Sequence, residues 1–325
     1  MPTVLTMLGA LVNRFALGRE TDTAMIDERL LTYDLALAKG GRAVSANASS
    51  VPRNSFAASA SSRAMPFDRL LRLLANMARV QAAFQRSVHL AGRPHQTPPM
   101  APPEGSAEQI RSWALELGAD VVGFCRVTPD LIFADKSVPY RTAIVLGQRM
   151  ATEQIATAPS PDCMIEVIRT YGALGTMVNR LSRRMVASGW DAVPGPALGG
   201  AVSYPSLAVA AGLGTYGRHG LLISSYNGAC QRLAAVFTNL ALEPTTSEEY
   251  AWVPQFCAQC GRCIRACPAG AIREEPLPRA AGHASCVENE ACLGYFGTNY
   301  GCSVCIKVCP FTTRGYERVK EGFGG

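Results

Sequence analysis

The chain has 325 residues, of which 48% are hydrophobic and 17% charged, and its formal net charge is +6. That is an ordinary soluble globular balance, long enough for one large domain and a satellite. The arginines are dispersed, with RLSRR (180–184) the densest run, so the charge permits a nucleic-acid partner without requiring one.

Near the start, VLTMLGALV (4–12) is apolar but too short for a bilayer span, which takes about 20 apolar residues. No basic residue precedes it and no twin arginine is present, so a cytoplasmic protein with reduced thiols is expected. The segment reads as a helix that packs on the protein itself, on a partner or on a membrane surface. TDTAMIDERLLTYDLALAKGG (21–41) reads as a capped helix ended by Gly40 and Gly41. GRAVSANASSVPRNSFAASASSR (41–63) has too few large apolar residues to offset its ordering entropy and reads as a flexible link. A second amphipathic helix is predicted over 65–88, followed by the proline-rich connector GRPHQTPPMAPPEG (92–105). Residues 1–105 are thus expected to be a helical N-terminal extension.

From Ser106 the pattern changes. SAEQIRSWALELGA carries a Ser-x-x-Gln capping box and stops at Gly118. ADVVGFCRV (119–127), TAIVLGQRM (142–150) and RLAAVFTNLAL (232–242) are apolar, β-branched runs read as buried strands. Between them, Met164, Ile168, Tyr171, Leu174, Val178, Leu181 and Met185 recur every three to four residues, the stripe of a long helix. Residues 106–250 are therefore expected to form an α+β sandwich, with a separate module over 251–325.

That module explains the sulfur. Twelve cysteines in a long chain do not suggest the disulfide framework of short secreted domains, and nine of them crowd into residues 257–309. CAQCGRCIRACP places Cys257, Cys260, Cys263 and Cys267 at C-x2-C-x2-C-x3-C-P, and Cys302, Cys305 and Cys309 follow as C-x2-C-x3-C-P. In two-cluster ferredoxins the cysteine before each proline ligates the other cluster. Cys309 then joins Cys257, Cys260 and Cys263, while Cys267 joins Cys302 and Cys305 and needs a fourth thiolate. A simple ferredoxin has that cysteine where this chain has Asn299. Cys286 and Cys292 are the two substitutes, and Cys292 is preferred because only a short loop returns it. Zinc prefers two well-separated C-x2-C pairs, so two [4Fe–4S] clusters are the expectation. Cys125, Cys163 and Cys230 lie in apolar contexts and are assigned no role.

AGLGTYGRHGLLISSYNG (211–228) holds Gly212, Gly214, Gly217 and Gly220. Its G-x-G-x-x-G lacks the preceding strand of a dinucleotide site. The glycines suit either close approach of a bulky ligand or a tight turn packed on the sheet. His219, one of four histidines, sits within it.

AGLG-x-x-G-R-x-G-L-L-I followed by the Cys-Pro module with a displaced cysteine resembles epoxyqueuosine reductases and reductive dehalogenases over about residues 106–316. The resemblance implies a nitroreductase-like α/β sandwich, two [4Fe–4S] clusters and a base-off cobalamin between them. The Asp-x-His-x-x-Gly motif of corrinoid proteins with a histidine axial ligand is absent, which agrees with base-off binding. KVCPF and GRHGLLI look more like the dehalogenase branch, in which a tyrosine and a basic residue act together; Tyr171 and Arg218 take those roles by position. Tyr171 also reads as a stripe core residue, and Arg218 as a simple anion clamp. The implied function is a cobalamin-dependent iron–sulfur reductase of a small organic substrate, fed by an external ferredoxin or flavodoxin. Epoxyqueuosine reduction in tRNA and an electron-transfer subunit without corrinoid are the alternatives.

Overall fold

A computed structural model describes residues 65–92, 98–132, 138–278 and 284–324. The helices and link expected before residue 65 lie outside the described residues. The helix expected over 65–88 is α1 (Phe67–Ala91), and the Ser106 helix is α2 (Ser106–Glu116). Among the described residues, no helix is long and apolar enough to cross a membrane.

Four strands make the central sheet: β1 (Val121–Arg126), β2 (Thr142–Arg149), β3 (Ala192–Pro194) and β6 (Gln231–Thr238), in the order β1-β2-β6-β3 with every pair antiparallel. Successive side chains on a strand point to opposite faces, so a strand apolar at every position must be covered on both. One face carries Cys125, Ala143, Val145, Ala235 and Phe237, covered by Leu207 and Ala208 of α5 (Tyr204–Ala210). The other carries Phe124, Ile144, Leu146, Ala234 and Val236, covered by α2 and by α4 (Pro161–Ala187). The result is an α+β sandwich with the sheet between helices. A short helix, α3 (Thr152–Ile155), links β2 to α4.

The Ser160 hydroxyl caps α4 by accepting from the Cys163 N–H, and Pro161 occupies its first turn, where no N–H is needed. Met164, Ile168, Leu174, Val178, Leu181 and Met185 are buried along the expected stripe. A second face is buried as well. There Gly172 and Gly175 let α1 approach closely, since a Cβ on Gly175 would stand 2.9 Å from the Ala83 methyl. Asn179 donates to the Ala83 carbonyl at 2.8 Å and accepts from the Ser87 hydroxyl at 2.9 Å, and Arg69 pairs with Asp162 at 2.9 Å. These small and polar contacts stand beside an apolar cluster in which Leu73, Met77 and Val80 of α1 pack with Met164, Ile165 and Ile168 of α4.

Beyond the hairpin β4 (Thr215–Tyr216) and β5 (Leu222–Ile223), the tail runs through α6 (Val253–Cys260), α7 (Arg262–Ala266), the pair β7 (Ile272–Pro278) and β8 (Ala284–Val287), α8 (Asn289–Thr298), α9 (Val304–Val308), α10 (Pro310–Thr313) and α11 (Tyr316–Gly324). A third core joins this tail to the sandwich: Met150, Ile155, Cys163 and Val167 pack with Ile306, Cys309, Phe311 and Val319. Trp252 meets the rings of Phe256, Phe311, Tyr316 and Phe323 at centroid distances of 5.4–5.9 Å. Its indole N–H donates to the Tyr316 hydroxyl, which donates in turn to the Glu249 carbonyl, both at 2.8 Å.

Candidate metal centre

Short helices separated by sharp turns present the tail cysteines. Gly261, at φ 56°, breaks α6 from α7, so Cys257 and Cys260 leave one helix while Cys263 leaves the next. Around Cys302 the chain turns more severely: Tyr300, Gly301, Cys302 and Ser303 are consecutive left-handed residues, at φ 52°, 75°, 49° and 67°. Only glycine takes that conformation freely; each of the other three costs on the order of 1–2 kcal/mol. Three such residues in a row at an expected ligand mark a backbone bent for a purpose other than its own stability.

The thiols sort into two groups. Burial raises the Cys309 thiol to about 12, and its sulfur neighbours are Cys257 and Cys263. Cys257 is raised by burial and lies beside Cys260. Cys292 and Cys302 are also raised by burial; Cys292 is close to Cys302 and Cys267, and Cys302 to Cys267. Cys305, pushed by burial to about 12, feels Cys302 and Cys292, with Cys263 the nearest sulfur across the divide. One quartet is Cys257, Cys260, Cys263 and Cys309; the other is Cys267, Cys292, Cys302 and Cys305. Cys286 stands on the Cys257 side instead. The ferredoxin position is filled by Asn299, a buried side chain that ends α8 by donating to the Tyr295 carbonyl at 3.0 Å.

Among the described residues, no three His, Cys, Asp or Glu side chains close around a single ion. Four thiols in each group match the ligand count of a four-iron cluster, so this donor set fits two [4Fe–4S] groups. Burial raises the Cys257, Cys263, Cys292, Cys302, Cys305 and Cys309 thiols, so loading a cluster on them would release protons.

The glycine loop is arranged differently. A Cβ on Gly214 would lie 2.2 Å from the Ile223 carbonyl, one on Gly217 would lie 2.7 Å from the His219 ring, and one on Gly212 would meet Thr246 and Ser247 at 2.9–3.0 Å. Gly212 and Gly220 also have positive φ, at 64° and 73°. The space is taken by the protein itself. These glycines serve the turn and its hairpin. The His219 imidazole is buried; its Nδ1 accepts from the Leu221 N–H at 3.1 Å, and Nε2 has no partner among the described residues.

Arg218 faces the first quartet. Its backbone N–H donates to the Cys257 sulfur, its cation lies near the same thiol, and its guanidinium donates to the Glu274 carbonyl. Tyr171 has a different cation: the Arg232 guanidinium carbon lies 5.3 Å from its ring centre. Arg232 also lies near Cys163, whose thiol is raised by burial, bonded by the Ser303 side chain and close to Cys302. Tyr171 and Arg232 are thereby linked through Cys163 to the second quartet. Neither Arg232, at the start of a strand, nor Cys163, in an apolar stretch, stands out in the sequence.

A sandwich joined to a ferredoxin-like tail with two cysteine quartets is the architecture of an iron–sulfur redox protein. Residues 251–272 match the family model described as a 4Fe-4S binding domain. The chain is 32% identical over 212 residues to a tetrachloroethene reductive dehalogenase of Desulfitobacterium hafniense, covering 60% of this chain and 37% of that protein. It is 28% identical over 134 residues to an epoxyqueuosine reductase of Listeria monocytogenes, covering 36% of this chain and 31% of that one. Among solved structures, one reported as a reductive dehalogenase suggesting a mechanism for B12-dependent dehalogenation superposes with a TM-score of 0.65 at 20% identity, over 75% of this chain and 39% of that one. The chain is a homologue of reductive dehalogenases and epoxyqueuosine reductases, and it spans about two fifths or less of these relatives' length.

Proposed function

We propose that the chain works as a reductive-dehalogenase-like iron–sulfur reductase. Residues 251–325 hold two [4Fe–4S] clusters, residues 106–250 form the domain those clusters serve, and residues 1–105 extend it. An external ferredoxin or flavodoxin supplies electrons in the reducing setting of the cytoplasm, and a small organic substrate loses a C–X or C–O bond. The observation that carries this reading is the sorting of eight thiols into two quartets, with Cys292 standing in for the residue replaced by Asn299. A base-off cobalamin as the final acceptor enters from the relatives; the glycine loop lends it no support, and no step is derived through it.

The chain's own residues have separable tasks. The cysteines bind the clusters, and Arg218 places an N–H and a positive charge against Cys257, favouring electron uptake there. Tyr171 is the proton donor, and Arg232 packs over its ring and fixes its position.

Anaerobic purification after reconstitution, with iron, sulfide and cobalt quantified, tests the proposal. About eight irons per chain are expected, together with cobalt uptake. Fewer than four irons would end the two-cluster reading. The packed glycine loop favours a second reading, an electron-transfer unit without corrinoid; eight irons with no cobalt uptake selects it.

A further inference from the structure

A hollow of about 390 Å³ opens beside Cys260, the thiol of the first quartet that lines it, and four arginines surround it: Arg262, Arg265, Arg314 and Arg318. All four are exposed, and no lining residue is acidic. Some arginines elsewhere are matched with carboxylates, as in Arg69–Asp162, Arg169–Glu166, Arg184–Glu116 and Arg273–Glu288. Here Arg265 is tied to the ligand loop by a 2.9 Å bond to the Cys260 carbonyl. Among the described residues, Arg262, Arg314 and Arg318 have no acidic partner. Like charges gathered without counter-charge repel one another and project a positive field from this face.

We propose that this hollow is the docking face for a small acidic one-electron carrier protein. The inference rests on the reading that Cys257, Cys260, Cys263 and Cys309 hold a cluster, and it specifies where that cluster meets its donor. Several features favour a protein surface over a small anion. The guanidinium groups come from two separate segments, 262–265 and 314–318, and spread around an open hollow instead of converging in a closed pocket. Phe256 and Phe323 also line it, giving an apolar patch within a basic rim. Transient redox partners use small interfaces of this kind, in which complementary charge sets the encounter rate and orientation. Each encounter moves one electron: the carrier is oxidised by one, the cluster group is reduced by one, and no bond is made or broken.

The test compares the iron-loaded protein with Arg262→Glu/Arg314→Glu/Arg318→Glu, the matching triple Arg→Lys variant, and a remote control, Arg72→Glu/Arg180→Glu/Arg183→Glu, which changes net charge equally. The probe is a purified acidic [2Fe–2S] ferredoxin, and binding is measured by calorimetry at low and high salt. The hollow variant should bind at least tenfold more weakly, and raised salt should weaken the wild type similarly. The Arg→Lys and remote variants should stay within about threefold. Reduction by methyl viologen, a small cation, should not slow in any variant. Equal weakening by the remote control, or affinity indifferent to the hollow arginines in iron-loaded protein, overturns the inference. Tight binding of inorganic phosphate in place of ferredoxin overturns it in favour of a small-anion site. Protein that takes up no iron sinks both this inference and the cluster reading beneath it.

Discussion

The Arg232 guanidinium lies over the Tyr171 ring, at 5.3 Å from its centre. If Tyr171 donates a proton, Tyr171→Phe leaves the fold and iron content unchanged and lowers turnover of the loaded enzyme at least a hundredfold, the usual scale of acid–base catalysis. Arg232→Gln should lower turnover more modestly, because the Tyr171 ring loses the guanidinium packed on its face. Full activity in Tyr171→Phe would leave this tyrosine a core residue.

Cys292 and Cys286 were the open choice in the sequence, and the structure separates them. Cys292→Ser should cost about half of the bound iron, whereas Cys286→Ser should retain nearly all of it. Iron and sulfide assays on reconstituted protein decide this. The opposite pattern would transfer the ligand role to Cys286.

Arg218 brings positive charge to Cys257. Removing it as Arg218→Gln makes added negative charge less welcome, so the reduction potential of the first cluster should fall while that of the second stays put. Redox titration followed by EPR separates the two. An unmoved potential would assign the side chain to its bond with the Glu274 carbonyl alone.

Gly214→Ala forces a methyl group into the Ile223 carbonyl and should destabilise the protein by about 2 kcal/mol or more. Gly189, at φ 85°, has open space around it, so Gly189→Ala should cost only the backbone strain, about 1–2 kcal/mol. Urea unfolding of both variants measures the difference. A neutral Gly214→Ala would mean that the loop opens easily, restoring room for a bulky ligand.

Burial pushes the His219 imidazole down to about 4 from an ordinary 6.5. A lowered histidine pKa means that the unfolded chain binds the proton more readily. The stability it contributes is complete above about pH 6.5 and is lost as the pH falls toward 4, about 3 kcal/mol in all. His219→Asn should flatten that slope between pH 7 and 4.5. Parallel slopes in denaturation curves would place the acid sensitivity elsewhere.

Much of this architecture was legible in the residues because its causes are local. Apolar runs at 121–126, 142–149 and 231–238 must be buried on both faces, and they form the sheet. The spacing from Cys257 to Cys309 constrains which thiols share a group, and the structure places Cys309 near Cys257 and Cys263, and Cys305 near Cys302, Cys292 and Cys263. The misses depend on distant partners. Gly172, Gly175 and Asn179 carry no apolar signal, so the close approach of α1 at these positions was not legible, although Met164 and Ile168 of the stripe also pack on α1. The glycines of 212–220 suit a ligand or a turn equally; only the Ile223 carbonyl and the His219 ring decide between them. Arg218 and Arg232 illustrate the same limit, since sequence order does not say which cation reaches Tyr171.

The left-handed run from Tyr300 to Ser303 has a consequence for maturation. A cluster on Cys302 would hold this turn from one side while the Cys163 neighbourhood holds it from the other. Oxygen that strips iron from Cys302 would release it, and the relaxed segment would have to be rewound before reinsertion. Air-damaged protein should therefore become newly cleavable between residues 299 and 304 and accept fresh iron more slowly than protein that was never loaded.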